Sequence, residues 1–387
     1  MVMTQQRYRI IHEDFGGTTT DITGAVDIQS NEGIESKSDS FKLRVFKSNL
    51  ESGIDFVQED NIKIYFGDGN ALPSTIVMDG LVKEVNYESG EKGTVFVLKG
   101  QNALEVMLSN VMAASFSASD SVAPDGTGWT SSDIIEYYVN HINDFNSKPT
   151  WITIGTTEID SDGDNTLHIN YVETPKPVFE HIEALSTNEY TGNGPFVYYL
   201  DSSNNLVWKK RSTTPENDIV EEGNNVTSIK VNTKTEIINF LIADGGTDLN
   251  GAPITDYVVD TFSAGKYGWK MKYVPMTDIS KNVKSEFPAA DNETIRNTVR
   301  ERIQSRGGAI LERIGISRHT ASVEMVGNTT FVKGSLYTII TKNYLFPNNT
   351  NSYSLRLINI THRYTAKSGW TTTLEFEEDE DTAREWS

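Results

Sequence analysis

The residues best suited to chemistry in this chain are carboxylates. Asp160-Ser161-Asp162-Gly163-Asp164-Asn165 sets acidic side chains at alternate positions, as at the start of a loop that wraps calcium. The pattern breaks where it should be strict, with Asn165 where the turn needs Gly and Tyr171 where a bidentate Glu belongs. A polar turn between strands at Trp151 to Thr157 and Thr166 to Val172 accounts for the same residues without an ion. Ser263-Ala264-Gly265-Lys266-Tyr267-Gly268 joins Gly and Lys but lacks the glycine spacing and the following Ser/Thr of a phosphate loop. The six histidines, His12, His141, His168, His181, His319 and His362, are scattered through different elements, and there is no cysteine. Neither Gly-x-Ser-x-Gly nor His-Glu-x-x-His occurs. With 54 Asp and Glu, no glycosidase-type carboxylate pair can be singled out. The sequence predicts no catalytic residue, no metal site and no cofactor; the protein reads as a non-enzyme.

One charge feature departs from the acidic whole. Lys266, Lys270, Lys272, Lys281, Lys284, Arg296, Arg300, Arg302, Arg306, Arg313 and Arg318 make a locally basic stretch. It is either a solvated helix face or a docking surface for the acidic face of a neighbouring subunit, with Arg296, Arg300, Arg302 and Arg306 as the docking candidates. The net charge of −20 argues against a nucleic-acid-binding surface, because phosphate affinity comes mainly from Lys and Arg. It fits simple solubility, and it equally fits a wall along which DNA slides without sticking.

The elements that would carry these residues are mostly strands. A chain of 387 residues, 37% hydrophobic, is long enough for two or three domains. From Arg7 to about Met112, six short alternating strands separated by turns predict a barrel or sandwich, closed by a short helix through Leu104, Met107, Leu108 and Val111. Residues 113–222 read as a small α+β domain. Thr130-Ser131-Ser132-Asp133 caps a helix carrying Ile134, Ile135, Tyr138, Val139 and Ile142, a second helix starts near Pro177, and a hairpin follows from Phe196 to Lys210. Strands resume in 223–387, interrupted by a helical insertion at about 289–316 that Gly307-Gly308 would end or bend. The closing run Glu377-Glu378-Asp379-Glu380-Asp381 predicts a frayed, solvated tail. No run approaches the ~18 apolar residues of a membrane span, and the start lacks the apolar core of a secretory signal. The expectation is a protein made in a cytoplasm, without membrane insertion.

Two distant segments share one strand grammar. Met78 to Tyr87, a polar turn and Thr94 to Leu98 match Leu355 to Tyr364, a polar turn and Trp370 to Phe376. Each is a hairpin with alternating apolar residues, and a duplicated β-module suggests a surface built from copies.

These residues carry a family likeness. Asp79-Gly80-Leu81-Val82, Lys99 to Leu104, Gly334-Ser335-Leu336-Tyr337-Thr338-Ile339, Leu355 to Tyr364 and Gly369 to Phe376, in this order along the chain, resemble the baseplate hub proteins of contractile-tailed phages, the Mu-like tail hub and late-control D group. The resemblance implies a mainly β fold with an α+β insertion: two tube-like antiparallel β-barrel domains plus a small α+β domain and an inserted helix. It implies a structural virion protein of the tail baseplate, assembled in the host cytoplasm. As a homotrimer it would present six barrels to the sixfold tail tube protein above and threefold features to the spike protein below. Other baseplate proteins and the tape-measure protein would be partners, with DNA only passing through an acid-lined lumen. A carbohydrate- or receptor-binding β-protein is the alternative, with Trp129, Trp151, Trp208, Trp269 and Trp370 as sugar-stacking candidates.

Overall fold

The computed structural model describes residues 7–14, 16–22, 24–34, 39–50, 54–67, 72–90, 93–104, 110–112, 115–116, 129–145, 155–159, 171–172, 175–186, 196–224, 226–234, 237–343, 345–346 and 350–379. The acidic run at Asp160 to Asn165 and Trp151 lie outside them.

The first unit is seven strands: β1 (Arg7–Glu13), β2 (Thr19–Ile22), β3 (Ala25–Gly33), β4 (Ser40–Phe46), β5 (Asn61–Gly67), β6 (Thr75–Gly90) and β7 (Gly93–Asn102). Their inward residues, among them Ile10, Ile28, Leu43, Ile62, Phe66, Phe96 and Leu98, form one core. Gly100 of β7 is required there: a Cβ would stand 2.1 Å from the Leu81 carbonyl oxygen and 2.3 Å from the Phe41 ring.

The middle domain holds β8 (Val111–Met112), β9 (Ser115–Phe116), α1 (Ser131–Phe145), β10 (Gly155–Ile159), β11 (Tyr171–Val172), β12 (Lys176–Pro177), α2 (Val178–Leu185), β13 (Phe196–Leu200) and β14 (Asn205–Lys210). A reciprocal cap starts α1: the Asp133 amide donates to Thr130 Oγ1, and the Thr130 amide donates to Asp133 Oδ2. The apolar residues read as one helical stripe, Ile134, Ile135, Tyr138, Val139 and Ile142, are all buried against α2 and the β13–β14 hairpin.

The second unit contains β15 (Ile219–Glu221), β16 (Val226–Lys234), an inserted domain, β20 (Arg318–Val326), β21 (Leu336–Ile340), β22 (Ser352–Thr365) and β23 (Gly369–Glu377). The inserted domain comprises β17 (Phe240–Thr247), β18 (Pro253–Val259), α3 (Thr261–Tyr267), β19 (Met271–Pro275), α4 (Asp278–Glu286) and α5 (Asn292–Ile314). It is larger than the single predicted helix, and the Gly-Lys segment at Ser263 is the body of α3, capped by Asp260. Helix α5 runs through Gly307-Gly308 without a break. Gly307 is there for proximity, since a Cβ would come within 2.5 Å of Val258 on β18.

The chain is mainly β, as the sequence predicts, and its large sheet is duplicated strand by strand. Pairing runs β3-β4-β7-β6-β5 in the first unit and β16-β20-β23-β22-β21 in the second. Bulges coincide. Lys83 is extra between Val82↔Gly100 and Glu84↔Lys99, as Ile358 is between Leu357↔Phe376 and Asn359↔Glu375. Val26 is extra in β3 opposite β4, and Thr227 in β16 opposite β20. The bulges make Val82 the counterpart of Leu357, two residues away from the match that hairpin grammar suggests. Side chains alternate with period two, so the pattern alone leaves a two-residue ambiguity that only a bulge removes. The units differ at the far strand: β1 pairs antiparallel with β5, whereas β15 pairs parallel with β21.

The units are not separate sheets. Strand β22 pairs with β3 over seven residues, from Asn359↔Gly33 to Thr365↔Asp27, so both belong to one 13-stranded sheet. Among the described residues neither unit's strand path returns to its own beginning.

Within the predicted acidic tail, Glu377 to Asp379 are tied into the fold, which corrects the expectation of fraying for those three residues; Glu380 and Asp381 lie outside the described residues. Glu378 is buried and accepts hydrogen bonds from the His319 amide and the Tyr353 hydroxyl. Asp379 accepts from buried Arg356, which also donates to the carbonyls of Gly334 and Ser212. These hydrogen-bond and ion-pair partners are distant in sequence, which a local reading cannot see.

Candidate functional site

The joint between the units gathers polar and aromatic residues from both. Trp370, carried at the start of β23, stacks on Phe66 of the first unit at 4.8 Å and 10°. Tyr364 meets Tyr8 at 4.6 Å. Asn31 Oδ1 accepts hydrogen bonds from Asn359 Nδ2 and Thr361 Oγ1, both 2.9 Å.

Beside it lies a buried ammonium. Lys333, 4% exposed, precedes β21 and donates to Asp39 Oδ2 at 2.9 Å and to the Leu200 carbonyl at 2.9 Å. Its Nζ is 3.6 Å from Glu32 and 4.9 Å from the Tyr199 ring centroid. One side chain of the second unit thereby holds the first unit and the middle domain together. Burial opposes the Lys333 charge, but Asp39 and Glu32 outweigh it and hold the ammonium above its ordinary range. Burial pushes Glu32 up to about 7, against the Lys333 charge and with that of Asp39. Burial holds His362, 3.8 Å from Glu32, down at about 3.

These two shifts act in opposite directions on stability. Acidification from pH 7 to 4.5, the ordinary Glu value, stabilises through Glu32, because the folded chain keeps a proton that the unfolded chain has released. Acidification from 6.5 towards 3 destabilises through His362, because only the unfolded chain takes up that proton. Between pH 6.5 and 4.5 they oppose each other. Scanning calorimetry across that window should show the melting temperature of Glu32→Gln falling on acidification relative to the wild type, and that of His362→Gln rising. Parallel profiles for all three would contradict the assignment.

The predicted docking arginines all lie on α5, but they do not form a free basic face. Arg302 pairs with Glu286, Arg306 with Asp278 at 2.7 Å, and Arg296 approaches Asp248 at 3.8 Å; Arg300 is exposed. Residues 235–317 contain ten Lys and Arg against eleven Asp and Glu, so −19 of the chain's −20 lies elsewhere. Folding sets Asp248 just after β17, Asp256 of β18, and Asp278 and Glu286 of α4 against the basic helix. Of the tryptophans, Trp208 and Trp370 are buried, Trp129 packs on Phe116, and Trp269 is 58% exposed. Trp269 meets Phe240 on the sheet face that also exposes Tyr257, Met271 and Tyr273.

Two sheet edges are left open among the described residues. Residues 228–234 of β16 pair only with β20, and residues 84–90 of β6 pair only with β7. They are the counterparts of β3 and β22, the strands that meet at the joint. Sequence reasoning missed these edges and the Lys333 cluster. The hairpin echo was the one signal pointing towards the edges.

Comparison with solved structures places the whole architecture. The tail protein from Neisseria meningitidis MC58 matches with a TM-score of 0.63 and 11% identity, over 98% of this chain and 99% of that one. The 43 kDa tail protein of prophage MuSo2 from Shewanella oneidensis matches with a TM-score of 0.60 and 14% identity, over 97% and 99%. The chain has the fold of these tail proteins. A chain of the half-lidded Francisella PdpA–VgrG complex matches with a TM-score of 0.52 and 9% identity, over 97% of this chain and 58% of that one. No protein-family model matches the sequence, and no curated protein matches it.

Proposed function

We propose that the protein is a structural component of a phage tail, a baseplate hub that assembles as a homotrimer and adapts a sixfold tail tube to a threefold spike. The observation that carries this is the duplication: one chain holds two equivalent half-sheets joined edge to edge, with the equivalent edges still open. Three chains joined through those edges place six equivalent units in a ring, matching a hexameric partner on one side while keeping threefold symmetry for the other. Closure also covers edges that would otherwise promote aggregation. Whole-length likeness to two tail proteins supports the tail role, and the likeness to part of a chain in the PdpA–VgrG complex supports a place in a multi-protein assembly. The net acidity outside residues 235–317 suits a channel through which a tape-measure protein and DNA pass without adhering.

Mass measurement in solution, with tail tube protein added in a second sample, tests the hub. A trimer, alone or on the tube, is the expected result; a monomer in both samples would overturn it. The α5 arginines remain docking candidates, chiefly Arg300, with Arg296 half-exposed. Arg296→Glu/Arg300→Glu should lower trimer formation while leaving the monomer's circular dichroism intact, and an unchanged trimer removes them from the interface.

The exposed face of Trp269, Tyr257 and Tyr273 favours a second reading, a carbohydrate-binding tail protein. Glycan-array binding that is lost in Trp269→Ala would support it.

A further inference from the structure

We propose that the open edge of β16 takes as its partner the open edge of β6 in a second copy of this chain, in a seven-residue register that the chain already displays internally. This rests on the trimeric hub, but it makes a separate claim about which residues meet.

The register follows from the bulges. They equate β22 with β6 and β3 with β16: Asn359 corresponds to Glu84 and Thr365 to Gly90, while Gly33 corresponds to Lys234 and Asp27 to Ser228. Carrying the observed β3·β22 pairing across sets residue 234 opposite Glu84, Val231 opposite Tyr87, Lys230 opposite Glu88, and Ser228 opposite Gly90. A shift of one residue would turn every side chain to the wrong face.

The side chains fit that placement. Lys230 and Glu88 are both exposed, and Glu88 is held at 2.6 Å by Arg44, so the seam would share one carboxylate between two cations. Pairing β16 with another β16, or β6 with another β6, brings like charges together, which favours the unlike pair. Tyr87 is 59% exposed yet packs against Phe96 at 4.9 Å, an aromatic side chain with one uncovered face. Its counterpart at the internal joint, His362, is buried. The internal joint is largely buried, whereas the open edges are largely exposed and carry charged and polar residues. That difference suits edges that remain in water until a second copy arrives.

Because the chain has no cysteine, engineered pairs report the seam cleanly. In Val231→Cys/Tyr87→Cys the two positions face each other across the proposed seam, and mild oxidation should give a covalent trimer on a non-reducing gel. In Val231→Cys/Val85→Cys the pair is out of register, with Cα atoms beyond the ~7 Å reach of a disulfide, and no trimer band is expected. Lys230→Glu and Glu88→Lys should each weaken association about tenfold per seam, and the combined variant should recover most of it. A trimer by mass that crosslinks out of register, or in neither variant, overturns this seam while leaving the hub standing. A chain that stays monomeric with and without the tail tube protein and never crosslinks removes both. In-register crosslinking with rescue of the charge swap supports both.

Discussion

Lys333→Met is expected to cost about 3–5 kcal/mol, because it strands two buried carboxylates and a carbonyl rather than merely deleting a charge. Asp39 would keep its hydrogen bonds from the Gly33 amide at 2.8 Å and Asn102 Nδ2 at 3.0 Å, but Glu32 would lose its nearest cation and Leu200 its donor. At the 2–4 °C per kcal/mol usual for mid-sized chains, the melting temperature would fall by on the order of 10 °C. Limited proteolysis should show the middle domain loosened, since its tie to the second unit through Leu200 and Tyr199 runs through this ammonium. Neutralising the whole cluster in Lys333→Met/Glu32→Gln/Asp39→Asn should restore most of the loss, as replacing a buried ionic group outright costs far less than halving it. A single variant within about 1 kcal/mol of wild type would show that the cluster holds nothing together.

Trp370→Ala is expected to cost a similar amount, about 3–5 kcal/mol, and to act on the joint itself. The indole belongs to the second unit in sequence but packs in the core of the first, stacked on Phe66 and closed over by Gly327, where a Cβ would stand 2.0 Å from the ring. Removing it leaves a cavity between the units that neither can collapse alone. Denaturant unfolding should then separate into two transitions as the units uncouple, with near-ultraviolet circular dichroism reporting the lost packing. One unshifted transition would mean that the backbone pairing of β3 with β22 suffices to hold the units together.

Much of the local structure was legible. Alternation in Met78 to Tyr87 and Leu355 to Tyr364 gave two hairpins, and both are present as β6–β7 and β22–β23. Thr130 and Asp133 announced α1, and its stripe from Ile134 to Ile142 announced the core it enters. Such signals are readable because capping, turns and amphipathic periodicity act between residues a few positions apart. The α5 arginines show the limit of that reading. Their clustering was visible, but their carboxylate partners on α4 and at Asp248 come from other segments, so the apparent basic face is largely neutralised.

By itself the sequence determined most element types outside the inserted domain, the absence of cysteine chemistry, the acidic excess and the presence of a repeated hairpin. Tertiary structure alone decided which strands meet at the joint, which edges stay open, and that Lys333 would find Asp39 across 294 residues. The physical reason is range. Local dihedral and hydrophobic preferences are written in short windows, whereas strand register and buried charge pairing depend on bulges and distant partners that exist only once the chain has closed upon itself.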